Sequence, residues 1–221
     1  MTRRIPRALE PAGVVLVDKP AGISSFAAVA ELRGRTGART GHTGTLDPFA
    51  TGLLVLLSGS ATREAQSFVA LDKRYLTDVD LTARTSTGDP EGEVLERAEP
   101  LAGAELEAAL EALRGEVDLQ VPAASAVKIG GERAYRLHRR GVAVEMPVRR
   151  SRIHTLDVVA YGGDRVTLDL RVGSGTYVRA IADRLGGHCA ALRRIEVGPF
   201  SVEEADAERI IPVDEALARL A

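Results

Sequence analysis

A period of two places Tyr75, Thr77, Val79 and Leu81 on one face of a predicted strand, and Val166, Leu168, Leu170 and Val172 on one face of another. Gly162-Gly163-Asp164 lies between the second of these and a preceding strand-like run, which predicts a β-hairpin. Residues 13–17 and 53–57 are continuously apolar, as strands covered on both faces are. The helical period appears in Leu106, Leu110 and Leu113, within a helix predicted over 102–114. Further helices are predicted from a Ser24 or Ser25 cap to about residue 35, over 61–71, over 132–140 with a basic face, from about residue 176, and after Pro212. Residues 85–92 read as a turn-rich loop, and a subdomain division is placed near 83–99. With no internal repeat or long linker, this mixture of hairpins and helices predicts an α+β domain around a mixed sheet.

Composition narrows the class without identifying it. A chain of 221 residues fits one large domain or two small ones, and buries about 70% of its unfolded surface on folding. No apolar run approaches the roughly 20 residues that cross a membrane. The N-terminal MTRRIPRALEPAG has arginines but no apolar segment after them, so it reads as a solvated leader. Cys189 is the only cysteine, which leaves no intrachain disulfide or cysteine-clustered zinc site, and the expected location is cytoplasmic.

The net charge of −2 conceals a marked asymmetry. Acidic residues dominate 89–118, whereas 128–152 holds Lys128, Arg133, Arg136, Arg139, Arg140, Arg149, Arg150 and Arg152 against Glu132 and Glu145. Arginine pairs bidentately with phosphate and stacks on bases, so this cluster is either an ordinary solvated face or a surface that attracts phosphate.

Asp47 is the most informative residue in the chain. It is the only formally charged side chain between Thr40 and Thr62 and is flanked by Gly41, Gly44 and Gly52, which permit close approach of backbone to a ligand. Pro48 holds it extended. A carboxylate leading into an apolar strand is costly unless paired, so Asp47 is a candidate catalytic group. Arg179 falls in the first turn of a predicted helix, where a cation opposes the macrodipole and calls for a compensating carboxylate. His138, His154 and His188 show no metal-ligand spacing, and there is no nucleophile elbow for a hydrolase.

Asp18-Lys19-Pro20-Ala21-Gly22-Ile23-Ser24-Ser25, Gly41-His42-Thr43-Gly44-Thr45-Leu46-Asp47-Pro48, Lys73-Arg74-Tyr75 and Gly175-Thr176-Tyr177-Val178-Arg179 together resemble the signatures of the TruB-type tRNA pseudouridine synthases, in the same order and at similar separations. The resemblance runs from about residue 13 to 200. It implies the pseudouridine synthase fold, a mixed, mainly antiparallel sheet flanked by helices with an active-site cleft across it. It further implies that Asp47 is the nucleophile or base, that Tyr75 stacks on a flipped base, and that Arg179 pairs with the aspartate. His42, Tyr177 and Leu192 match positions that contact or place the nucleotide, and Lys19 and Pro20 match a supporting motif. The expected domains are a leader over 1–12, a catalytic domain over 13–200 and a short tail over 201–221 in place of the full PUA-like module of many relatives. The segment between Asp183 and Leu192 is shorter than usual for the family before Arg193 and Arg194.

The implied reaction breaks the uridine N1–C1′ bond, rotates the base and rejoins it through C5, which calls for a carboxylate near the sugar and no metal or cofactor. The carboxylate can attack C1′ or remove the 2′ proton. The implied partner is tRNA, at U55 in the T-arm stem-loop, with Arg136, Arg139 and Arg140 on a phosphate track and no obligatory protein partner. The alternative is a non-catalytic tRNA-binding folding chaperone.

Overall fold

The computed structural model describes residues 12–220, so the expected leader lies, apart from Ala12, outside the described residues. In chain order the elements are β1 (Gly13–Lys19), α1 (Ser25–Thr36), β2 (Thr40–His42), β3 (Thr51–Ser58), a 310 turn (Gly59–Glu64), α2 (Ala65–Val69), β4 (Lys73–Asp80), β5 (Ala83–Thr85), β6 (Val94–Arg97), α3 (Gly103–Glu111), β7 (Gly115–Gln120), β8 (Lys128–Ile129) and β9 (Glu132–Arg133). They continue with α4 (Ala134–Arg139), β10 (Val148–Tyr161), β11 (Arg165–Val172), α5 (Val178–Arg184), β12 (His188–Val197), β13 (Phe200–Ser201), a second 310 turn (Val202–Glu204), β14 (Asp206–Ile211) and α6 (Val213–Ala218). The chain divides into two compact units, Met1–Leu71 with Arg194–Ala221, and Asp72–Arg193. The division therefore does not fall at 83–99, where β5 and β6 pair as a hairpin inside the second unit.

In the first unit β1 pairs antiparallel with β3 from Gly13↔Ser58 to Lys19↔Gly52, and with β14 on its other side. β2 adds to β3 through Thr40↔Ser58. The apolar runs of β1 and β3 follow from this placement, since β3 is buried from Gly52 to Ser58. Ser24 starts α1 by accepting a hydrogen bond from the Ala27 N–H, and Gly37, at φ 66°, ends it. Leu16, Leu53, Val55, Leu57, Phe68 and Phe200 form the core, with Phe68 and Phe200 stacked at 6.0 Å between ring centres. Burying a ring of this size contributes about 2–3 kcal/mol.

The helix expected over 61–71 is instead the first 310 turn followed by the short α2. The Thr62 hydroxyl donates to the Gly59 carbonyl at 2.8 Å, one turn back, and competes with an α-helical ladder there.

In the second unit β4, β11, β10 and β7 lie side by side, antiparallel, with Tyr75↔Leu170 and Ile153↔Val172 in register. The predicted alternation is present: Lys73, Tyr75, Thr77 and Val79 are buried on β4, and Val166, Leu168, Leu170 and Val172 on β11. Arg74 and Asp169 form a two-pronged ion pair between these strands, at 2.7 and 2.9 Å. α4 is shorter than predicted because Glu132 and Arg133 pair as β9 with β8. The fold is α+β, as the hydrophobic pattern predicts. Among the described residues no helix is long and apolar enough to cross a membrane.

Candidate active site

In the first unit Asp47 sits half-buried in the loop between β2 and β3. The loop starts with the Thr43 N–H on the Val55 carbonyl at 3.1 Å and turns through Asp47–Ala50, where the Ala50 N–H bonds the Asp47 carbonyl at 3.1 Å. The residue before Asp47 is fixed by Ser25, whose hydroxyl donates to the Leu46 carbonyl at 2.9 Å and accepts from the Leu46 N–H at 2.8 Å. The residue after it is fixed by Lys19. That ammonium group, wholly buried, donates to the carbonyls of Pro20 at 2.8 Å, Ile23 at 2.9 Å and Pro48 at 3.4 Å. Pro20 is exposed and enters through its backbone carbonyl.

Two cations stand behind the loop. Burial lowers the Lys19 pKa, the Asp47 carboxylate opposes that shift, and Arg194 adds to it. Arg194, on β12 and 2% exposed, donates through Nε to the Leu53 carbonyl at 2.7 Å and through Nη2 to the Gly44 carbonyl at 3.0 Å. His42 is half-buried and accepts the Gly44 N–H at Nδ1, 3.4 Å away. Burial, and next the Arg194 charge, hold its pKa below the ordinary 6.5, so the ring is neutral at pH 7. Gly52 answers to packing within the protein, because a Cβ there would lie 2.2 Å from the Arg194 carbonyl oxygen.

The second unit holds the other predicted residues. Tyr75 is buried on β4 and Leu192 on β12. Arg179 occupies the first turn of α5, 3% exposed. Its guanidinium donates to the Thr87 carbonyl and to the Ala124 carbonyl at 2.8 Å, and pairs with the buried Asp89 carboxylate at 3.6 Å. The carboxylate set against this buried arginine at a helix start is that of Asp89, a partner the sequence reading did not name. Asp89 in turn accepts the Glu91 N–H at 3.1 Å. Tyr177 packs against the cluster of Val121, Ala134 and Met146.

The basic cluster is less uniform than the sequence suggests. Arg140 is committed to Glu132 through two bonds of 2.7 and 2.9 Å, while Arg136 and Arg139 face the ring of Tyr135 at 5.9 and 5.7 Å. Arg150 and Arg152 both approach Glu116.

The structure therefore gathers Asp47, His42, Lys19 and Pro20 in one unit, and Tyr75, Arg179, Tyr177, Leu192 and the three arginines of α4 and its end in the other. Sequence reasoning missed Arg194, Ser25 and Asp89 as parts of this machinery. Arg194 left one signal: it shares the inward alternation of Leu192.

The sequence profile of the TruB family pseudouridylate synthase (N terminal domain) matches residues 33–178. The chain belongs to this family, a family of isomerases. It is 41% identical to a tRNA pseudouridine synthase B of Leifsonia xyli subsp. xyli (strain CTCB07), over 94% of this chain and 76% of that protein. Another tRNA pseudouridine synthase B, from Thermobifida fusca (strain YX), is 43% identical over 87% of this chain and 72% of its own. Among solved structures, a chain of a Cbf5-Nop10-Gar1 complex superposes with a TM-score of 0.65 at 26% identity, covering 86% of this chain. This chain spans 50% of that one. A crystal structure of a pseudouridylate synthase shares the fold at a TM-score of 0.53 and 16% identity, covering 97% of this chain and 76% of that one.

Proposed function

We propose that the protein isomerises a uridine of tRNA, U55 in the T arm, to pseudouridine, with Asp47 as the catalytic carboxylate. The observation that carries this reading is the way the Asp47 turn is held. Ser25 fixes the residue before it, Lys19 the residue after it, and Arg194 ties the flanks of the loop, while Asp47 itself stays half-buried. Such a frame suits a group that must meet a reacting sugar in one geometry. That the substrate is tRNA is supported by the names of relatives at 41–43% identity.

The reaction balances within the nucleotide: N1–C1′ breaks, the base turns, C5–C1′ forms, and the C5 proton leaves as N1 takes one up. Asp47 serves either by attacking C1′ or by removing the 2′ proton, and both need it ionised. Lys19, whose charge acts on Asp47, favours that state. Following the family resemblance, Tyr75 stacks on the flipped base, Arg179 supplies the cationic partner of the aspartate, and His42, Tyr177 and Leu192 place the nucleotide. Stacking of one base on an aromatic ring returns about 1–3 kcal/mol of the unstacking cost.

Incubating the protein with unmodified tRNA, without added cofactor, and mapping pseudouridines with carbodiimide tests this. The expected result is one new pseudouridine at U55. Binding of tRNA with no pseudouridine formed anywhere would refute the catalytic reading and leave an RNA-binding chaperone.

A further inference from the structure

The fully enclosed Arg194 guanidinium has a use beyond packing. Its Nε and Nη2 atoms reach two carbonyls on opposite flanks of the Asp47 turn, Leu53 at 2.7 Å and Gly44 at 3.0 Å. It therefore spans the neck of the segment that carries Asp47. The Gly44 residue it grips donates its own N–H to Nδ1 of His42 at 3.4 Å. A backbone N–H can only donate, so Nδ1 must be the bare nitrogen and the ring proton must sit on Nε2.

We propose that Arg194 is a positioning residue: by holding Gly44 it fixes His42 as the neutral, Nε2-protonated tautomer and presents that N–H as a donor to the substrate nucleotide. The inference rests on the proposed place of His42 beside the nucleotide. A lysine in place of Arg194 keeps the charge but loses the planar fork that bridges both carbonyls.

The surroundings of His42 agree with this assignment. β2 packs against α1, β3 and the first 310 turn. Their charged side chains are Glu31, Arg33 and Arg35 on α1, and Arg63 and Glu64 on the turn, while β3 carries none. Arg33 donates to the Thr40 carbonyl at 3.1 Å. After burial, the charge that shifts His42 is that of Arg194. A cation so close opposes a second positive charge on the imidazole, which keeps the ring a neutral donor.

The test is nitrogen NMR of the full chain with labelled histidine, in which His42→Gln identifies the His42 signals among the four histidines. Wild type should show the Nε2-protonated pattern, persisting to a lower pH than an exposed histidine. Arg194→Lys should mix the two tautomers and lower kcat/KM about tenfold or more, the effect of losing one charge-assisted hydrogen bond. Arg194→Gln, which removes the charge, should raise the His42 midpoint, since that charge acts with burial to hold it down. An Nδ1-protonated His42 in wild type would overturn the proposal, even if both variants fail to fold. So would an Arg194→Lys protein with wild-type tautomer and wild-type kcat/KM. The NMR signature needs no turnover, so a protein that forms no pseudouridine but shows it would sink the proposed function and leave the Arg194–Gly44–His42 linkage standing.

Discussion

Gly52→Ala is a substitution for which the structure sets a large effect from a small change. Gly52 is the second residue of β3, at φ 102°, a region that side chains of L-residues rarely enter, and forcing alanine there costs about 1–3 kcal/mol. The added Cβ would lie 2.2 Å from the Arg194 carbonyl oxygen, 2.7 Å from its nitrogen and 2.9 Å from its carbonyl carbon. These are backbone atoms, so relief requires β12 and β3 to part by about 1 Å, and overpacking of this kind adds about 1–3 kcal/mol. The total, about 4 kcal/mol, is a large share of the 5–15 kcal/mol of a typical domain. With a urea slope of about 2–3 kcal/mol per M, the unfolding midpoint followed by circular dichroism should fall by about 1.3–2 M. Gly41→Ala is the control, because a Cβ there meets nothing within 4 Å. Its midpoint should stay within about 0.3 M of wild type. A Gly52→Ala protein as stable as Gly41→Ala would refute the claim that Gly52 exists to admit the Arg194 backbone.

Three further outcomes are expected. In single-turnover assays on saturating T-arm RNA, Tyr75→Leu should bind the flipped base about 1–3 kcal/mol more weakly; we further propose that the Tyr75 phenol oxygen takes part in removing the C5 proton, so Tyr75→Phe should bind but stall, and a Phe variant as fast as wild type would leave stacking alone. Arg179→Lys should lose at least about a hundredfold in rate, since an ammonium does not reproduce the fork that meets Thr87, Ala124 and Asp89, and near-normal activity would contradict its proposed role. Replacing Arg136 and Arg139 with alanine should weaken tRNA binding and flatten its salt dependence, whereas Arg140→Ala should do less because Glu132 already neutralises that charge; equal slopes for all variants would place the phosphate track elsewhere.

The parts of the fold that were legible are those in which side-chain polarity reports burial. β4 and β11 alternate as buried-face strands do, β3 is apolar from Leu53 to Leu57, and Ser24 caps α1. β12 was not legible because Arg194 occupies an inward position that an apolar residue ordinarily takes, and its cost is met by carbonyls on β3 and in the Asp47 loop. β14, which reads Asp-Ala-Glu-Arg-Ile-Ile, is mostly solvated and carries little hydrophobic signal. Asp47 stood out as a lone charge among glycines and small residues. Asp89 did not, because its meaning depends on Arg179, which reaches it only through the tertiary fold.

Asp47→Asn tests the central claim most directly, because it keeps the size of the side chain and removes the charge that both chemical routes require. The measurement is the single-turnover rate of pseudouridine formation at U55 of unmodified tRNA, with affinity and urea midpoint recorded on the same preparation. The account predicts wild-type folding, nearly unchanged tRNA affinity, and a rate below about a thousandth of wild type, a loss of roughly 4 kcal/mol of transition-state stabilisation. A folded Asn variant that retains more than that would contradict it and remove Asp47 from the chemistry.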